Sequence, residues 1–208
     1  MNQKLARFTS ILFHPIFLPV FAILLITQFH FIIVVKLNAQ PKLLFLMAYM
    51  VSLTLIPLTG VMMMLRKYKL SELSELTQQE RVISAGVLAL VYLFVAFTFT
   101  DFFVDKFLRV FVLSLAISCG IMAVVNQFFK LSFHAFGWGG LLAMVWFLGK
   151  MANTDLTLVL ILVLLLSGWV GSARLYVKAH QPKEVYLGFL LGILSNYTVF
   201  QMYYQYGF

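Results

Sequence analysis

Residues 156–173 read LTLVLILVLLLSGWVGSA, eighteen positions without a charged side chain, and Arg174 follows at once. About 18–20 apolar residues cross the hydrocarbon core of a bilayer as a helix. Only helices or closed barrels can span it, because no water is there to satisfy the backbone. The stretch lacks the ten-residue alternation of a barrel strand, so it reads as a membrane helix.

The same pattern recurs along the chain. Uncharged runs also cover 8–35, 43–65, 82–100, 110–129, 131–149 and 185–208. The expected fold is all-α: a single integral membrane domain over 1–208, a helix bundle with six or seven transmembrane helices. The count turns on the first run, where His14-Pro15 and Pro19 can start or kink a helix and leave it partly re-entrant. Lys4 and Arg7 ahead of that run resemble the start of a signal peptide. No Ala-x-Ala-like cleavage site follows, so the run reads as the first membrane helix.

Composition agrees. Of 208 residues, 62% are hydrophobic and only 11% charged. The mean hydropathy is +0.98. Soluble domains carry about 45–50% apolar and about 25% charged residues, which excludes a soluble enzyme, a disordered chain and a nucleic-acid-binding module. The lone Cys119 has no internal disulfide partner. Membrane lipids are therefore the expected surroundings, and the few polar residues must carry any chemistry.

Counting seven crossings assigns the connecting segments to two faces. The N-terminus, 66–81, 130–134 and 174–184 fall on one face; 101–109, 150–155 and the C-terminus fall on the other. Segment 66–81, RKYKLSELSELTQQER, has Leu70, Leu73 and Leu76 every three residues. It reads equally as a short interfacial amphipathic helix or a solvated loop.

Two segments on the first face stand out. One runs Asn126-Gln-Phe-Phe-Lys130-Leu-Ser132-Phe-His134 into an apolar helix. Ser132 can cap that helix, whose free N–H groups favour an anion. The other holds Arg174, His180 and Glu184, with Gly188 beyond. An arginine grips phosphate oxygens with a fork of donors. A histidine can be a nucleophile or an acid–base group, and a nearby carboxylate can hold one ring proton and free the other nitrogen. If Pro182 starts the last helix, Glu184 sits in its first turn, where a carboxylate is favourable.

These residues resemble the type 2 phosphatidic acid phosphatase family of the acid phosphatase and vanadium haloperoxidase superfamily. That family's third motif is Ser-Arg-x5-His-x3-Asp, commonly with a glycine four residues on. The chain has Arg174-x5-His180-x3-Glu184-x3-Gly188, with Ala173 for the serine and Glu for the Asp. The second motif, Pro-Ser-Gly-His, aligns with Leu131-Ser132-Phe133-His134, which keeps Ser and His. Arg81 alone answers to the arginine of the first motif, Lys-x6-Arg-Pro; Ser74 stands for its lysine and Val82 for its proline. Lys130-x-Ser132-x-His134 is similar to a divergent bacterial branch.

The resemblance implies a metal-independent lipid phosphatase. His180 would form a phosphohistidine, Glu184 would orient it, and His134 would protonate the leaving oxygen. Arg174, Lys130, Ser132 and Arg81 would hold the phosphoryl oxygens. No cofactor is implied. Polyprenyl pyrophosphate, phosphatidic acid and phosphatidylglycerol phosphate are the candidate substrates. The resemblance implies a multi-pass protein of a bacterial cytoplasmic membrane with its site on the extracytoplasmic face. The first face carries ten of the fifteen Lys and Arg, which favours cytoplasmic placement by the positive-inside rule. Orientation stays open. So do two other functions: a protein of the same fold that binds anionic lipid without turnover, and a small transporter.

The remaining polar residues have structural readings. His14 and His30 read as satisfied interfacial or core histidines. The tyrosines from Tyr197 to Tyr206 read as an interfacial belt. Gly137, Gly139, Gly140, Gly188 and Gly192 read as close helix packing.

Overall fold

The computed structural model describes residues 2–28, 39–64, 76–98 and 106–207. These are helical, with no strand among the described residues. The order is α1 (Gln3–Leu12), a 3-10 turn (Pro15–Phe17), α2 (Leu18–Ile26), α3 (Ala39–Met64), α4 (Gln78–Thr98), α5 (Lys106–Val125), α6 (Phe133–Ala152), α7 (Thr157–Tyr176) and α8 (Pro182–Tyr206). Taking α1, the turn and α2 as one segment, seven described segments are long and apolar enough to cross a membrane. Leu90, Phe94, Leu158 and Leu165 point outward, each more than three-fifths exposed, a surface suited to acyl chains and costly in water. His30 and residues 65–75 of the amphipathic stretch lie outside the described residues. Its last residues lead into α4, which begins at Gln78 and so takes in Arg81.

The first segment is broken where His14-Pro15 predicts. Pro15 has no N–H to donate, so α1 cannot run on. The chain tightens instead: the His14 N–H bonds the Ile11 carbonyl at 3.2 Å. The Ser10 carbonyl, which the His14 N–H would meet in a continuous helix, is left without a backbone donor among the described residues.

α6 is the central helix. In its apolar window 61% of residues are buried, against 44% or less in every other segment. Its glycines allow this. A Cβ at Gly139 would overlap the Phe189 carbonyl, and one at Gly192 would overlap the Phe136 carbonyl, so α6 and α8 pack backbone to backbone. At mid-depth Asn196 on α8 donates from Nδ2 to Ser118 Oγ on α5 at 2.9 Å, a buried polar tie between spans. The crossing holds the start of α6 beside the start of α8, where the Ser132 N–H bonds the Glu184 carbonyl at 3.1 Å.

Candidate functional site

A cavity of about 150 Å³ lies between the helices near the starts of α6 and α8. His14, Arg81, His134, Arg174 and His180 line its polar part. Its remaining wall is mostly apolar and includes Leu18, Phe111 and Leu141, reaching Asn196. Such a shape suits an amphiphile, with an anionic head among the cations and an apolar tail between spans.

The α7–α8 connection places three of the expected residues. Lys178 adopts the left-handed conformation, φ 55°, and the Ala179 N–H then bonds the Arg174 carbonyl at 3.2 Å. This turn reverses the chain just before His180, at a cost of about 1–2 kcal/mol for a residue with a Cβ. Pro182 starts α8, and Glu184 sits in its first turn as expected. Glu184 Oε2 accepts from His180 Nδ1 at 2.8 Å and from the Gln181 N–H at 3.3 Å. The His180 and Glu184 side chains are only 6% and 13% exposed, so water competes little for their bond. With Nδ1–H committed, Nε2 keeps its lone pair. Burial pushes the His180 pKa below its ordinary 6.5, and the Arg174 and Lys130 charges act the same way, while Glu184 opposes them. The ring is neutral near pH 7, as a nucleophile must be.

Arg174 sits in the last turn of α7 inside the protein, 2% exposed. Its Nε and Nη2 have no hydrogen-bond partner among the described residues. A buried cation with idle donors is expensive, and an anion is its natural complement. Arg81 is also buried; Nη1 donates to the Leu76 carbonyl at 2.6 Å, and Nε has no partner among the described residues. Arg81 and Arg174 thus line one cavity, although they stand 93 positions apart.

His134 enters from the first turn of α6. Its Nε2 lies 2.9 Å from the Ser10 carbonyl that the Pro15 break left free. A carbonyl only accepts, so Nε2 carries the hydrogen and Nδ1 holds the lone pair. Ser132 caps α6, accepting the Ala135 N–H on Oγ at 3.4 Å. It is fully buried and is not among the residues lining the cavity, so its hydroxyl serves the cap rather than the expected phosphate contact. Lys130 is exposed and donates from Nζ to the Ala179 carbonyl at 3.0 Å, beside His180.

One cavity residue escaped the sequence reading. His14 was expected to be a satisfied structural histidine. Its Nδ1 does accept the Ile16 N–H at 3.3 Å, but the ring also lines the cavity and meets His134 edge-on, centroids 5.0 Å apart. The available signal was its place beside Pro15: a helix broken inside an apolar span presents polar atoms that need partners.

Comparison with known proteins returned no match among protein-family models, curated proteins or solved structures.

Proposed function

We propose that the protein is a membrane-embedded phosphatase of lipid phosphates that works through a phosphohistidine, as a divergent member of the type 2 phosphatidic acid phosphatase family. The supporting observation is the buried Arg174 guanidinium with two idle donors, in one cavity with the Glu184-held His180 and with His134. Bound phosphate would occupy those donors, joined by Arg81, with Lys130 adding positive charge beside His180.

His180 Nε2 attacks phosphorus as the bond to the leaving oxygen breaks. A phosphomonoester monoanion brings one proton, which His134 takes on Nδ1 and passes to the leaving oxygen. The Ser10 carbonyl, at the C-terminal end of α1, stabilises the His134 imidazolium meanwhile. Water then attacks the phosphohistidine, His134 Nδ1 accepts its proton and passes it to a phosphate oxygen, and the P–N bond breaks to release dihydrogen phosphate with His180 and His134 both neutral again. Glu184 holds the charge that develops on His180. The lipid tail occupies the apolar part of the cavity. Phosphatidic acid, phosphatidylglycerol phosphate and polyprenyl pyrophosphate all fit this chemistry. The bacterial cytoplasmic membrane, with the site on its extracytoplasmic face, is part of the proposal.

Purified protein in detergent is assayed for phosphate release from a panel of lipid phosphates, with His180→Ala as control. Release by the parent, absent in the variant, supports the reading. Equal release by both removes His180 as nucleophile. Binding of anionic lipid that depends on Arg174, without turnover, favours a binding protein of the same fold.

A further inference from the structure

We infer that His14, on the broken first segment, is a binding residue of the same site and donates from Nε2 to an oxygen of the bound phosphoryl group. The inference rests on the phosphate-site reading and extends it to a residue outside all the motif-bearing segments.

The ring's protonation follows from its partners. Nδ1 accepts the Ile16 N–H at 3.3 Å, so Nδ1 carries no hydrogen. The hydrogen of the neutral ring is then on Nε2, which bonds to nothing among the described residues. His14 lines the cavity with Arg174, whose Nε and Nη2 are buried and idle. Its ring stands edge-on to His134, 5.0 Å between centroids and 84° between planes.

The three cavity histidines therefore share one design. Each has one nitrogen fixed by a neighbour: His180 by Glu184, His134 by the Ser10 carbonyl, His14 by the Ile16 amide. The free nitrogens differ. His180 and His134 present lone pairs, for attack and for proton exchange. His14 presents an N–H, which suits neither task but suits an anionic oxygen. Pro15 fixes this arrangement, since the turn it starts supplies the Ile16 amide.

Two substitutions separate the donor from the turn. His14→Gln puts an amide N–H near the place of Nε2. His14→Asn puts an acceptor near the place of Nδ1, which keeps the turn and removes the donor. Binding of inorganic phosphate and of short-chain phosphatidic acid to the purified full chain is measured for parent and variants, with thermal unfolding recorded alongside. The expected result is affinity at least tenfold weaker in His14→Asn and within threefold of the parent in His14→Gln. If only the lipid binds the parent, the same pattern is read on the lipid, and the site takes a headgroup rather than free phosphate.

Parent-like binding by His14→Asn overturns the inference, as does weakening in both variants, which assigns the ring to packing. Failure of the parent to bind either ligand also overturns it. A parent that binds phosphate through His14 but releases none from any lipid phosphate leaves the inference standing and removes the phosphatase reading.

Discussion

Glu184 holds His180 across one turn of chain, Oε2 to Nδ1 at 2.8 Å, and with the same oxygen accepts the Gln181 N–H at 3.3 Å. One carboxylate thus orients a ring and satisfies a free amide at the start of α8. The two duties separate on substitution. Glu184→Gln keeps an acceptor for the amide but loses the charge that stabilises His180, and phosphate release should fall on the order of 10²–10⁴-fold. Glu184→Asp keeps the charge on a shorter arm. It should stay within about tenfold of parental activity and lose about 0.5–2 kcal/mol of stability with the lost amide contact. Steady-state assays and thermal unfolding of both variants test this. An active Glu184→Gln would deny the carboxylate its role.

The lowered His180 pKa sets the sign of two pH effects. The unfolded chain protonates this ring near 6.5, and the folded chain does so only at lower pH. Between those values the unfolded state holds more protons, so the stability contribution is full above 6.5 and is lost as pH falls through the window. The nucleophile also stays neutral below 6.5, so the acid limb of kcat/KM assigned to His180 should lie below that value. A stability profile that rises on acidification from pH 7 to 5 would contradict the assignment.

The fold was legible because charge is so scarce. Uncharged runs set off by charged residues marked the spans, and parity placed 130–134 and 174–184 on one face, where Lys130 now meets Ala179. Glycine spacing on α6 and α8 foretold their close crossing. Motif spacing could not tell that Ser132 turns into its cap, since a capping serine and a phosphate-binding serine look alike in sequence. Nor could it place His14, whose role depends on which helix end the Pro15 break brings against α6. Contacts between distant segments fix both.

Arg174 predicts a trade between stability and binding. Its guanidinium is buried with two donors idle, so the empty protein bears a desolvation cost without recompense. Arg174→Met removes that cost and keeps most of the side-chain volume. The variant should be more stable than the parent by about 1–3 kcal/mol, or roughly 2–4 °C in Tm per kcal/mol. Phosphate release should fall by about 10²–10³-fold, because the donors that balance developing charge are gone. Saturating phosphate should raise the parent's Tm and leave the variant's unchanged. A variant less stable than the parent would mean that Arg174 has a structural partner rather than a ligand to wait for.

Pro15 tests whether the break in the first segment serves the site. With alanine at 15, an N–H becomes available for the Ile11 carbonyl. The His14 N–H, now on Ile11, can return to Ser10 as in a continuous helix. Ser10 would then have a backbone donor, and His134 would lose the carbonyl that fixes its Nε2–H. With that anchor gone, the ring can present either nitrogen, and the general acid loses its fixed direction. Pro15→Ala should therefore lower kcat by about tenfold or more through His134, and raise KM as well, because a continuous helix also takes the Ile16 amide away from His14. Helix content by circular dichroism should hold steady or rise slightly. Parental kcat in a variant whose first segment has become continuous would show that the Ser10 carbonyl plays no part in proton transfer. A loss confined to KM would place the effect in binding, through His14 rather than His134.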